Sequence, residues 1–241
     1  MFAAAILLAA TAAGVVAAVS GFGIGSLLTP MLSLQIDVKT AVAAVSIPHL
    51  VGTSVRLWLL RSRIHYGLLW SFGVTSAAGG IAGALLQTRS SSGALALVFG
   101  VLLVILGLSE LTGLNRRWRF HGWAAWAAGA ASGFFGGLVG NQGGIRSAAM
   151  LGFQVPKDQF VATATATALL VDVARIPIYL AAEAGPIAAI WPLLLVATIG
   201  VVAGTCLGRW LLALMPERRF RQIVGGTVML LGLATIARGV R

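Results

Sequence analysis

Apolar runs of about 17–25 residues follow one another along most of this chain, the length an α-helix needs to cross the hydrocarbon of a bilayer. They fall near 2–19, 40–60, 67–88, 93–112, 122–140, 158–182, 187–213 and 219–237. A soluble domain carries about 25% charged residues; this chain has 10%, against 59% hydrophobic, too little polar surface to cover a water-facing body. In lipid every backbone polar group must be satisfied within the protein, so spanning segments are helices or a closed barrel. A barrel would alternate apolar and polar residues over about ten positions, and these runs do not alternate. The sequence therefore predicts an all-α integral membrane protein with about eight full transmembrane helices.

Two segments break the pattern. Residues 20–36, SGFGIGSLLTPMLSLQI, and 140–155, GNQGGIRSAAMLGFQV, are Gly-rich and too short or too interrupted for a regular span. Irregular backbone at membrane depth is tolerated only where it is buried in protein or lines a wet cavity. Both are expected to be broken or re-entrant.

The chain also repeats itself. Ser20-Gly21-Phe22 recurs as Ser132-Gly133-Phe134, and Gln35 and Arg56 match Gln154 and Arg175 at one common offset. Gly79 and Gly83 match Gly200 and Gly204, and Gly100 and Gly107 match Gly225 and Gly232. The order is preserved, which divides the chain into two homologous transmembrane halves, 1–115 and 116–241.

Positive charge orients them. With only the eight runs crossing, Lys and Arg split evenly between the two faces. If each Gly-rich break also carries the chain across, one face collects Arg61, Arg63, Arg116, Arg117, Arg119, Lys157, Arg209, Arg218, Arg219 and Arg221. The other face keeps Lys39, Arg89, Arg238 and Arg241. That is the usual cytoplasmic excess, so the halves are expected to be inverted repeats with both ends on the non-cytoplasmic side. The opening stretch lacks the positive n-region of a signal peptide and reads as a retained span. The net charge of +11 is not a nucleic-acid signal, because no basic segment is long enough to track a phosphate backbone.

Inverted repeats with broken segments place substrate near the midplane, where half-helix N-termini present free N–H groups to anions. Gly23 and Gly25 in the first break, and Gly143 and Gly144 in the second, permit close backbone approach to a ligand or to another helix. The GxxxG pairs Gly79/Gly83 and Gly200/Gly204 read as packing. Asn141, Gln142 and Arg146 stand in or beside the second break. An intramembrane arginine is expensive; Arg146 either grips an oxyanion bidentately or snorkels to an interface.

The helices after the breaks carry matching polar stripes: Ser46, His49, Thr53 and Arg56 in the first half, Thr165, Asp172 and Arg175 in the second. Spacings of three and four put each set on one face. Pro48 and Pro177 are expected to kink these helices. Asp172 and Arg175 are placed to pair within their helix; Asp172 and His49 are also candidates to carry a proton, although a lone helical histidine more often packs or hydrogen-bonds. No HExxH, Cys pair or carboxylate cluster points to a metal or to catalysis, and no cofactor is implied. The six acidic residues fall mostly in predicted loops, and the single Cys206 forms no intrachain disulfide.

These segments resemble the TauE/SafE sulfite exporter family, also called the toluene-sulfonate uptake permease family, over nearly the whole chain. The resemblance rests on GFGIGSLLTPML with Pro30, on KTAVAAVS, on GLVGNQGGIRSAAML followed by QFVATATAT, and on LMPERRFRQIVGG at 214–226. The second Gly-rich segment departs from the family pattern: Ala148 and Ala149 stand where a proline is expected. Asn141, Gln142 and Arg146 therefore do not carry over from it. The resemblance implies a bacterial inner-membrane secondary transporter, exporter or permease, for sulfite, an organosulfonate or a related sulfur-containing acid. An anion channel and a non-transport scaffold subunit are the alternatives. The partners expected are a small anion, the lipid bilayer and a possible second copy of the chain, with no nucleic acid.

Overall fold

The computed structural model describes residues 2–20, 23–113, 122–141, 143, 145–146, 150, 153, 155–213 and 217–239. Among these the chain is helical, with no strand. Helix α1 spans Phe2–Ser20, α2 Ile24–Leu32 and α3 Val38–Leu60, the last tightening into a 3₁₀ turn at Arg61–Arg63. Helix α4 covers Tyr66–Arg89 with a π-helical turn at Leu69–Gly73. Helix α5 is Ser92–Thr112, α6 Trp123–Val139, α7 Lys157–Ala189, α8 Trp191–Ala213 and α9 Glu217–Gly239.

Among the described residues, six segments are long and apolar enough to cross a bilayer: Val38–Arg63, Tyr66–Arg89, Ser92–Ser109, Asp158–Ala189, Trp191–Gly208 and Gln222–Gly239. This is a multi-pass membrane protein. Helix α1 has 19 residues and α6 has 17, and each is followed in sequence by a Gly-rich break. Gly140 ends α6 in the left-handed region, φ 73°, with its N–H on the Gly136 carbonyl, a conformation that costs glycine least. Gly23 starts α2 at φ 134°.

The helices pair in four tight couples: α1 with α8, α4 with α6, α3 with α7 and α5 with α9. Glycines set the approach. A Cβ on Gly204 would strike the Thr11 carbonyl, and one on Gly200 would lie 2.9 Å from the Leu7 carbonyl. On α4, Gly83 and Gly79 meet the carbonyls of Phe134 and Ala130 in the same way. In both couples contacts advance together along the two chains, so the helices are parallel, packed backbone to backbone as small-xxx-small pairs allow. The GxxxG pairs are packing elements. The other two couples are antiparallel: Thr40, His49 and Arg56 of α3 meet Glu183, Asp172 and Thr165 of α7 in reverse order, and Gly93, Gly100 and Gly107 of α5 face Gly239, Gly232 and Gly225 of α9.

The two ends of the bundle hold different polar groups. Lys39 donates to the Thr88 carbonyl at 2.8 Å, Ser92 to Asp37 at 2.8 Å, and a cavity of 300 Å³ beside them is lined by Asp37 and Arg238. At the other end Arg63 pairs with Asp158 at 3.4 Å and Arg61 lies over the Trp58 ring at 4.0 Å. Exposed Trp58, Tyr66, Trp70, Trp123 and Trp210 share this end, as rings at a lipid–water boundary do. The cluster Arg116, Arg117 and Arg119 lies outside the described residues.

Ser20 is the last residue of α1, and Ser132, Gly133 and Phe134 lie inside α6; Gly21 and Phe22 lie outside the described residues. Pro177 lies inside α7. The helical dihedrals fail at Glu183, φ −124°, three residues before Pro186, where a proline ring displaces the preceding turn. Glu183 is therefore a buried helix residue and not a loop acid.

Candidate functional site

The polar stripes of α3 and α7 face each other across the antiparallel couple. Ser46, His49, Thr53 and Arg56 are all buried, as are Thr165, Asp172 and Arg175. The alternation that placed them on one face of each helix also turns them away from lipid. Asp172 sits at the centre. One carboxylate oxygen takes His49 Nδ1 at 2.5 Å from α3; the other takes Arg175 Nη2 at 2.8 Å and Nε at 3.1 Å from its own helix. Thr53 Oγ1 lies 3.4 Å from His49 Nδ1. Ser46 returns its hydroxyl to the Ala43 carbonyl at 2.5 Å, a bond within α3.

Arg56 and Arg175 do matching work. Arg56 donates Nη1 to the Ala17 carbonyl near the end of α1, and Arg175 donates Nη1 to the Gly136 carbonyl in the last turn of α6; each partner lies 39 residues earlier in the chain. The last carbonyls of a helix carry its negative end, so a guanidinium there adds a charged donor to a helix end inside the protein; at Gly136 it joins the Gly140 N–H. Arg56 Nε also donates to Thr165 Oγ1 at 2.9 Å, across to α7.

The two breaks touch. A Cβ on Gly25 would strike the Gly140 carbonyl, and Ser26 Oγ donates to Asn141 Oδ1 at 3.4 Å. Gly23 caps α2 against Val16. The N-terminal end of α2, with its free N–H groups, thus begins where α6 ends. Gly143 is buried beside this contact in sequence. Arg146 is buried to 1% exposure, within electrostatic reach of Arg56, Asp172 and Arg175. It does not snorkel to an interface. Gln142 and Gly144 lie outside the described residues.

Sequence reasoning missed Tyr179, whose hydroxyl donates to the Gly137 carbonyl and whose ring lies 5.7 Å from the Arg175 guanidinium. Its place one turn beyond Arg175 on the same face was the available signal. It also missed Glu183, which takes Thr40 Oγ1 at 2.8 Å and Lys39 Nζ at 3.9 Å. Among the described residues no three His, Cys, Asp or Glu side chains converge as a metal site.

This multi-pass helical protein thus buries three guanidinium groups and the Asp172 carboxylate near the place where its two Gly-rich breaks meet. The chain matches the family profile described as Sulfite exporter TauE/SafE over residues 6–235 and belongs to that family. No curated protein and no solved structure matches it.

Proposed function

We propose that this chain is a secondary transporter for a small sulfur-containing anion, such as sulfite or an organosulfonate, in the bacterial inner membrane. The observation that carries the reading is the charge of the buried centre: among the described residues, Arg56, Arg146 and Arg175 lie within electrostatic reach of one carboxylate, that of Asp172. Net charge in a low-dielectric interior is costly, and a bound anion would balance it. The positive end of α2 lies where the two breaks meet. Arg146 is the candidate ligand, because it stands in the second break; a guanidinium matches the paired oxygens of an oxyanion.

The halves 1–115 and 116–241 act as inverted repeats in this reading. Antiparallel α3/α7 and α5/α9, with parallel α1/α8 and α4/α6, is the arrangement expected when the second half is the first turned over about an axis in the membrane plane. α1 and α6 then complete the eight spans, with the two breaks crossing part of the bilayer. The end bearing Arg61, Arg63 and the tryptophans faces the cytoplasm. Rocking one half against the other exposes the site to each side in turn.

The test is ligand-dependent stability of the purified protein against sulfite, sulfate, thiosulfate, organosulfonates and small carboxylates. Binding to the folded state raises the melting temperature by mass action. A sulfur oxyanion should stabilise the native chain, and folded Arg146→Ala should lose that shift. No stabilisation by any anion overturns the substrate class.

A further inference from the structure

Two buried donors at the meeting of the breaks lack an acceptor. Thr29, fully buried in α2, has a hydroxyl with no hydrogen-bond partner, and Asn141, 5% exposed, has an amide nitrogen with none. Both lie at the contact between α2 and the end of α6. A methyl group at Gly140, the residue before Asn141, would lie 3.8 Å from Thr29 Oγ1 and 3.8 Å from Arg175 Nη1. Ser26, one turn before Thr29, donates its hydroxyl to Asn141 Oδ1. That bond occupies the amide oxygen and leaves the amide N–H₂ to donate elsewhere. Buried polar groups are almost always satisfied, and an orphan donor costs free energy in the empty protein. Here two of them, one from each break, lie beside a cluster of arginines.

We propose that Thr29 and Asn141 are the donors that select an oxyanion. Each hydrogen-bonds a different oxygen of one anion whose charge the arginines balance, and Ser26 holds the Asn141 amide in the donating orientation. The ligand class is a small anion with at least two acceptor oxygens and no proton to offer at that face. A halide of equal charge meets the same cationic field but presents one acceptor centre in place of two separate oxygens. This rests on the anion-transport reading above and adds to it the residues that set ligand geometry.

Thr29→Val keeps the side-chain shape and removes the hydroxyl. A structural hydroxyl lost from a core lowers the melting temperature; an orphan replaced by a methyl leaves it unchanged or raises it. The experiment compares native protein and Thr29→Val in thermal stability without ligand, and in affinity for sulfite, methanesulfonate and chloride. Asn141→Leu and Ser26→Ala are run beside it. The expected result for Thr29→Val is an unchanged or higher melting temperature, oxyanion affinity weaker by about tenfold to a hundredfold, the worth of one hydrogen bond to a charged group, and an unaltered chloride response. Ser26→Ala should weaken the oxyanion less than Asn141→Leu. An unchanged oxyanion affinity in folded Thr29→Val overturns the proposal, as does an equal loss for chloride. If the native protein binds neither sulfite nor methanesulfonate, the anion reading itself has failed, and the donor assignment falls with it; that outcome appears in the unsubstituted chain and is separable from the others.

Discussion

His49 Nδ1 lies 2.5 Å from Asp172 Oδ2, and through this contact the first half of the chain holds the carboxylate on which Arg175 of the second half depends. Both groups are buried, so the pair is a joint between halves and not a surface bridge. Breaking a buried pair by removing one partner costs about 3–5 kcal/mol, because the other charge is left uncompensated. Asp172→Asn should therefore lower stability by that order, and His49→Gln, which leaves Arg175 on the carboxylate, should cost less. A double-mutant cycle in denaturant unfolding should return a coupling of about 0.5–3 kcal/mol; additive single effects would show that the two side chains do not support each other.

Arg56 and Arg175 close the ends of α1 and α6. Removing Arg56 takes one donor from the Ala17 carbonyl, and removing Arg175 leaves the Gly136 carbonyl to the Gly140 N–H, so each loss should be about 1 kcal/mol, the net worth of one hydrogen bond. Arg56→Ala should speed amide hydrogen exchange at the end of α1 near Ala17, and Arg175→Ala at the end of α6 near Gly136. Equal protection of both ends in both variants would mean that the guanidinium groups do not hold them.

Helix contact at the GxxxG pairs is a matter of space. A Cβ on Gly83 would strike the Phe134 carbonyl and one on Gly204 the Thr11 carbonyl, while nothing lies within 4 Å of one on Gly226. Gly83→Ala and Gly204→Ala should each lower the melting temperature. Gly226→Ala should leave it unchanged or raise it, since alanine favours a helix interior by about 1 kcal/mol over glycine. The same loss at all three sites would point to a general intolerance of methyl groups.

At the end of the bundle bearing Lys39, Asp37 caps α3: it accepts from the Thr40 N–H at 3.1 Å and from Ser92 Oγ at 2.8 Å. Burial pushes its pKa up, but the hydrogen bonds from Thr40 and Ser92 outweigh it, and the net value lies below the ordinary 3.8. A carboxyl with a depressed folded pKa adds stability above its unfolded pKa and loses it as pH falls through the folded value. Asp37→Ala should cost about 1 kcal/mol at neutral pH, the usual worth of such a cap, and the gap to the native protein should close in acid below the ordinary carboxylate range. A gap that persists there would assign the loss to packing.

Much of this architecture is written in local pattern. The helical runs, the glycine breaks and the stripes on α3 and α7 follow from hydrophobicity and from spacings of three and four, both set by one helix's geometry. The Asp172–Arg175 pair was legible for the same reason. What the pattern could not supply is the partner across space: that His49 meets Asp172, that Arg56 reaches Ala17, that Thr29 and Asn141 flank Gly140. Those depend on how α3 and α7 dock and where the two breaks meet, which no single-helix period encodes. Both Pro177 and Pro186 lie inside α7, and the helical dihedrals fail at Glu183, a position the sequence pattern did not single out.

Counterflow in proteoliposomes tests the central claim most directly. Vesicles are loaded with unlabelled sulfite or organosulfonate, and labelled anion is added outside. The account predicts transient, saturable accumulation of label, abolished in folded Arg146→Ala. Flux that rises linearly with concentration without accumulation, or an Arg146→Ala protein that accumulates label like the native chain, would contradict it.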